Sequence, residues 1–259
     1  MSFDESDGIK ILLYGKSGTG KTTLWATFPA PILVMVSSGG MKPGELRSVN
    51  TKENRGRISQ VTIENSLDIA EIMDHQSQTN QYKTVVLDHA TGLQDRVLAE
   101  ILGMDEAPVQ KSWGLASQQQ YGQVTAQCKE HFRRMLSLSA NVVIIAQERT
   151  FQTADDVGES AEMLQPWVGA ALTPSLAGWL GPACDYVCQT LIRGKFETKT
   201  VKIGAKDMPS RSRVPGVEYC LRTAPHDIFA TKFRVPRGRH LPEFIIDPTY
   251  DKIMDLING

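Results

Sequence analysis

Over the first 150 residues, two patterns of apolar and polar positions alternate along this chain. Short continuous apolar runs recur: "IKILLY" (9–14), "APILVMV" (30–36), "KTVVLDH" (83–89) and "NVVIIAQ" (141–147). Their length and continuity predict strands buried on both faces. Between them lie stretches with helical spacing. "TTLWATF" follows a glycine-rich segment and reads as a helix, and "SLDIAEIMDHQ" (66–76) has apolar residues at Leu67, Ile69, Ala70, Ile72 and Met73, with Ser66 as its N-cap. "LQDRVLAEIL" and residues 118–137 complete the helices. Buried strands alternating with helices predict an α/β fold: a mostly parallel sheet with helices on both faces.

Past Gln147 the pattern loosens. Residues 153–182 are rich in Gly, Pro and acids and read as a long loop with a short helix. From residue 185, "DYVCQTLIR", "TKTVKIG", "VEYCLRT" and "IFATKFRV" alternate and read as antiparallel strands, "PSRSRVPG" as an exposed loop, and "YDKIMDLI" as a terminal helix. No linker composition or internal repeat intervenes. The expectation is one domain over 1–259, with a core at about 8–150 and a β-rich C-terminal extension of the sheet at about 185–259.

Composition excludes several classes. The chain has 259 residues, 41% hydrophobic and 22% charged, which suits a soluble globular domain. No apolar run approaches the roughly 18 residues of a membrane span, so no membrane partner is expected. The opening "MSFDESDG" is acidic and unlike a secretory signal. Four scattered cysteines make no disulfide scaffold, so the expected compartment is reducing and cytoplasmic. Cys184 and Cys188 read as buried side chains rather than metal ligands, because no further His or Cys nearby completes a set of four. Net charge is −1, but residues 190–240 carry 12 Lys/Arg against 4 Asp/Glu. That stretch is either an anion-binding face or a solvated β-rich surface.

"GKSGTGKTT" supplies the sharpest chemistry. Gly15, Gly20, Lys21 and Thr22 meet the pattern G-x-x-x-x-G-K-[ST], between a predicted strand and a predicted helix. Gly15, Lys16, Ser17, Gly18, Thr19, Gly20, Lys21, Thr22 and Thr23 are therefore the expected nucleotide-binding residues. Glycine lets the backbone approach phosphate closely and aim its N–H groups inward. Lys21 reaches the β- and γ-phosphates, and Thr22 offers a hydroxyl to Mg²⁺. Asp88, at the end of "TVVLD", is the acid such a site needs for its metal. The expected cofactors are ATP and Mg²⁺.

The P-loop strand, an intervening strand, the acid-ending strand and a further strand ending in Gln147 together resemble the RecA-like ATPase core over residues 9–147. More closely, "GKSGTGKTTLWATFPAPILV", "YKTVVLDHATGLQDRVL", "NVVIIAQER" and "TKFR" resemble phage-encoded RecA-like nucleotide-binding proteins, some of which are single-strand annealing recombinases. The resemblance implies a RecA-like P-loop fold and an ATPase producing ADP and phosphate, with Gln147 as γ-phosphate sensor. It also implies self-association into a ring or filament. The expected partners are single-stranded DNA and a single-strand DNA-binding protein, in the host cytoplasm. Lys232 and Arg234 form a K-x-R that in RecA-like assemblies reaches a neighbour's γ-phosphate; without the resemblance it is a basic strand face.

One departure bears on rate. Where the resemblance calls for a catalytic glutamate after the second strand, this chain has "VMVSSGGM", with Ser37 and Ser38. Serine is not a base at neutral pH, so hydrolysis is expected to be slow, partner-dependent or absent, with Glu148 and His89 as the available substitutes. For DNA, the loop after Gln147 carries Asp155, Asp156, Glu159 and Glu162, the wrong charge for a phosphate backbone. Lys111 and Trp113 supply one cation and one ring, and the stretch with Lys195, Lys199, Lys202, Arg211 and Arg213 is the better candidate. Two other readings stand beside the recombination ATPase. One is a non-catalytic or regulatory nucleotide-binding assembly factor. The other is a small-molecule phosphotransferase, for which no arginine-rich lid is evident.

Overall fold

The protein is described by a computed structural model covering residues 8–37, 45–105, 116–151, 166–203 and 206–259. Its main sheet runs β10 (Phe244–Ile246), β9 (Lys206–Arg222), β8 (Tyr186–Ile203), β1 (Lys10–Tyr14), β5 (Asn141–Ala146), β4 (Thr84–Asp88), β2 (Ile32–Ser37), β3 (Ile58–Ile63). From β8 to β3 every neighbouring pair is parallel, and β9 and β10 add antiparallel pairings at one edge. The fold is thus an α/β arrangement built on a mostly parallel mixed sheet.

Continuous apolar strands bury both faces because successive side chains point to opposite sides. Leu12, Leu87 and Ile144 face α2 (Ser66–Thr79), α3 (Ala90–Leu102), α4 (Gln118–Leu136) and α5 (Pro174–Ala183). Ile11, Leu13, Val86 and Val143 face α1 (Lys21–Trp25) and α6 (Tyr250–Asn258). Phe132 and Trp25 are fully buried, one on each side. Burying a large apolar side chain contributes about 1.5–3 kcal/mol, so these two layers dominate stability.

Several expectations are corrected. α2 is capped by Asn65, not Ser66: Asn65 accepts from the N–H groups of Leu67 and Asp68, and Asp68 completes a capping box. The Ser66 hydroxyl instead donates to Glu100 at 2.6 Å. α1 is only five residues, shorter than "TTLWATF" suggested, because Pro29 and Pro31 just beyond turn the chain away from helix. β3 was not anticipated; its exposed, polar outer positions hide an edge strand from an apolar-run criterion. Part of the supposed loop at 153–182 is β7 (Trp167–Ala170), which pairs with β6 (Glu148–Phe151) in a small second sheet. Residues 152–165 lie outside the described residues, and with them Asp155, Asp156, Glu159 and Glu162; Ser38, Lys111 and Trp113 do as well.

The C-terminal half differs most. "DYVCQTLIR" and "TKTVKIG" are one strand, β8; it pairs antiparallel with β9, as expected, but it also joins β1 in parallel, which the sequence did not suggest. "PSRSRVPG" is not a loop but the middle of β9. "IFATKFRV" forms isolated bridges, Val168 with Phe229 and Val187 with Lys232, instead of a strand. β8 is held by β1 only over Tyr186–Gln189, and β10 holds β9 only over Cys220–Arg222. Beyond Leu191 the two strands pair with each other alone, out to Ile203 and Lys206. At 3.3–3.4 Å per residue this ribbon extends about 40 Å.

Candidate functional site

β1 ends at Tyr14, and the chain turns through Gly15–Gly20 into α1. Gly18 (φ 78°) and Gly20 (φ 90°) adopt left-handed backbone that a side chain disfavours. A Cβ on Gly18 would meet nothing within 4 Å, so the loop opens there into free space. Lys21 folds back over this loop, its ammonium donating to the carbonyls of Gly15 (2.7 Å) and Lys16 (2.8 Å). Burial pushes the Lys21 pKa below the ordinary lysine value, and the carboxylates of Asp88 and then Glu148 act in the opposite direction. Lys21 thus senses both acids. Lys16, Ser17 and Thr23 are exposed, Thr22 is half-buried and Thr19 is buried.

Sheet order sets the rest of the site. β5 lies between β1 and β4, so Asp88 sits two strands from the P-loop strand, about 10 Å at normal strand spacing. Asp88 is only 5% exposed. Gln147 follows β5 directly, between the two; it is exposed, and its N–H points to the Thr91 hydroxyl at 3.4 Å. Glu148 begins β6 and accepts from Gln189 Nε2 at 2.8 Å. Gln189 Oε1 in turn accepts from Arg222 Nε at 3.1 Å, and Arg222 reaches Glu243. Arginine only donates, so the Gln189 amide is fixed with its NH₂ toward Glu148. The Arg222 guanidinium also lies 4.4 Å from the Phe229 ring and 4.6 Å from that of Phe244.

One of the two expected substitute bases changes its role. His89 caps α3: its Nδ1 accepts from Gly92 N–H at 2.8 Å. Burial, and then the charge of Lys21, lower its pKa, so the ring is neutral with its proton on Nε2. It has no lone pair left to take a proton from water, which removes it as a substitute base. Ser37 is 2% exposed and donates to the His89 carbonyl at 3.2 Å. A Cβ on Gly92 would come within 2.3 Å of the Ser37 hydroxyl, so a longer side chain at 37 has little room.

Lys232 and Arg234 do not join this cluster within the chain. Lys232 donates to the carbonyls of Pro182 and Cys184 at the C-terminal end of α5, where a cation complements the helix dipole. Arg234 pairs with Asp185 at 3.1 Å. Asp185 bonds to Lys10, at the start of β1, whereas the P-loop follows its end. The K-x-R and the phosphate loop therefore lie at opposite ends of the sheet.

Sequence reasoning missed Thr190 and Tyr219. The Thr190 hydroxyl lies 2.7 Å from that of Thr19, and a Cβ on Gly15 would come within 2.3 Å of it. The Tyr219 ring lies against Gly20. Neither has a motif around it; only the β8–β9 pairing beside β1 brings them to the loop.

The smaller sequence signals resolve simply. All four cysteines are buried and free. Among the described residues no group of His, Cys, Asp and Glu suits a metal, and no helix is long and apolar enough to cross a membrane. The donor set fits a magnesium nucleotide on its chemistry: a glycine loop opening to free space, one ammonium above it, a hydroxyl at Thr22 and a buried carboxylate at Asp88.

A family model described as an AAA domain matches residues 7–235, and the chain belongs to that family. It is a nucleotide-binding domain of the P-loop ATPase type. No curated protein matches it.

Proposed function

We propose that this AAA-domain protein is a RecA-like, Mg²⁺-dependent ATPase that binds single-stranded DNA and serves strand annealing in phage recombination or replication. Gly15–Thr23 would hold ATP, with Lys21 on the β- and γ-phosphates and Thr22 and Asp88 on the magnesium. Bound Mg²⁺ would neutralise charge on the phosphates. Gln147 would sense the γ-phosphate, and Glu148, oriented by Gln189, is the acid left to polarise water. Lys232 and Arg234 would act on a neighbouring subunit's nucleotide in a ring or filament, since their own P-loop is at the far end of the sheet.

The observation that carries the DNA reading is the ribbon. Between residues 194 and 214 it bears Lys195, Lys199, Lys202, Lys206, Arg211 and Arg213 against Glu197 and Asp207. Described side chains there are exposed on both faces, with Phe196 40% and Met208 49% exposed. Cations beside exposed apolar and aromatic groups suit single strands, where phosphates are neutralised and bases stack. Its root touches the phosphate loop through Thr190, so DNA and nucleotide would be felt by one element.

The test is ATP hydrolysis and oligonucleotide binding, each with and without the other ligand. The expected result is salt-sensitive binding of single-stranded DNA that raises ATP turnover. Reversing Lys199, Lys202 and Arg211 to Glu should remove binding; if part survives, its salt slope should be shallower by about 2, at about 0.7 per lost phosphate contact. Unchanged DNA binding in the triple variant would move the site elsewhere. A second reading, a nucleotide-binding assembly factor without turnover, draws on the buried Ser37 at the usual glutamate position. ATP binding with flat hydrolysis under all conditions would select it.

A further inference from the structure

Tyr219 and Asp88 stand on opposite sides of the phosphate loop. The sheet order β9-β8-β1-β5-β4 puts each of them two strands from β1, in opposite directions. The side toward β4 holds Asp88, the acid that acts most strongly on Lys21. A magnesium ion would belong there on charge, and the γ-phosphate would follow the metal. A linear nucleotide gripped at its phosphates with that end toward β4 must send its ribose and base the other way, over β8 and β9.

What lies there is an apolar shelf. Tyr219 is 42% exposed, and its ring comes within 3.2 Å of where a Cβ on Gly20 would stand. Its cross-strand partner Ile192, on the same face, is 41% exposed. The ring makes no aromatic pair, and its hydroxyl has no hydrogen-bond partner among the described residues. A large ring left bare beside a glycine of the phosphate loop, with an apolar neighbour extending the surface, suits a flat aromatic ligand group.

We propose that Tyr219, extended by Ile192, is the stacking platform for the nucleobase of the bound nucleoside triphosphate. The proposal rests on the nucleotide-binding reading of the P-loop and adds the part of the site that recognises the base. Gly20 acquires a second role: beyond its left-handed backbone, a side chain there would push the ring off the loop. Arg193, the residue after Ile192, is paired with Glu218 at 2.8 Å, which steadies this part of the ribbon beneath the shelf.

The experiment separates base from phosphate by using two probes, ATP and inorganic tripolyphosphate, on the full chain by calorimetry. Base stacking on an aromatic side chain contributes about 1–3 kcal/mol. Tyr219→Ala should therefore weaken ATP about 5- to 150-fold. Tripolyphosphate affinity should stay within about twofold, and Tyr219→Phe should bind ATP like the parent. Equal loss of ATP and tripolyphosphate in Tyr219→Ala would mean that the ring only props the loop, and would overturn the proposal. So would unchanged ATP affinity in that variant. If the parent protein binds neither probe, the P-loop reading itself fails, and the base platform falls with it.

Discussion

The hydroxyls of Thr19 and Thr190 meet at 2.7 Å, joining the phosphate loop to the root of the basic ribbon. Thr19 gives its one hydroxyl proton to the Lys16 carbonyl, at 2.7 Å. The Thr190 hydroxyl, whose other acceptor is the Tyr14 carbonyl at the longer distance of 3.4 Å, is thereby assigned as the donor between the two threonines. A nucleotide that reshapes the loop changes this contact directly, and so does a strand of DNA that pulls on the ribbon.

Thr190→Val keeps the shape and removes the donor. A net hydrogen bond is worth about 0.5–1.5 kcal/mol, so ATP affinity should fall about two- to tenfold. The more telling loss is coupling. In the parent protein, a single-stranded oligonucleotide should tighten ATP binding, and in the variant it should not. Titrations with and without the oligonucleotide check this; equal enhancement in both proteins would remove Thr190 as the link.

Lys21→Ala should leave the fold intact and abolish nucleotide binding or turnover. Among the described residues its ammonium bonds to carbonyls of its own loop alone, Gly15 and Lys16. Charge-assisted hydrogen bonds to phosphate are worth about 1.5–3 kcal/mol each, so ATP should bind at least tenfold more weakly. Circular dichroism and a binding titration on the same sample decide the point. Unaltered affinity and turnover would sink the assignment of the loop.

Arg234→Ala tests the neighbour's contribution. If the finger acts between subunits, this variant should lose turnover and keep ATP binding, while the parent's activity should rise more than linearly with concentration. A guanidinium supplied in trans is worth about 10³ or more in rate. Mixing inactive Lys21→Ala with inactive Arg234→Ala protein should restore part of the activity, because some interfaces pair an intact loop with an intact finger. No recovery in demonstrably mixed assemblies would leave Lys232 and Arg234 with the roles seen within the chain, bonding the end of α5 and Asp185.

His89 predicts a pH dependence with a definite sign. Burial, and then Lys21, hold its folded pKa below the ordinary 6.5. As pH drops through 6.5 the unfolded chain takes up a proton that the folded chain refuses. Stability is therefore full above that pH and is lost as pH falls below it. Asparagine also caps helices, so His89→Asn should flatten part of this decline between pH 7 and 5 in thermal melts. His131, likewise depressed by burial, keeps the remainder. Hydrolysis should survive His89→Asn and collapse in Glu148→Gln; the reverse pattern would restore His89 as the base.

The sequence by itself determined whatever depends on neighbours in the chain. The strands β1, β2, β4 and β5 are continuous apolar runs, and they fold as such because a strand buried on both faces leaves no polar position to disguise it. The phosphate loop is equally local: glycine conformation, a lysine and a hydroxyl within nine residues. Tertiary structure alone decided the rest. Pro209 and Pro215 made β9 read as a loop, yet on an edge strand the missing N–H can face solvent and costs no ladder bond. Nothing in the local pattern says that β8 should lie parallel to β1, and that one choice sets Thr190 on Thr19 and Tyr219 on Gly20, pairs 171 and 199 residues apart. It also carries Lys232 and Arg234, through the Val187 bridge, to the opposite end of the sheet from the loop they were expected to serve. Such contacts form between surfaces that exist only after the strands have paired, so their residues carry no periodicity or motif that marks them beforehand.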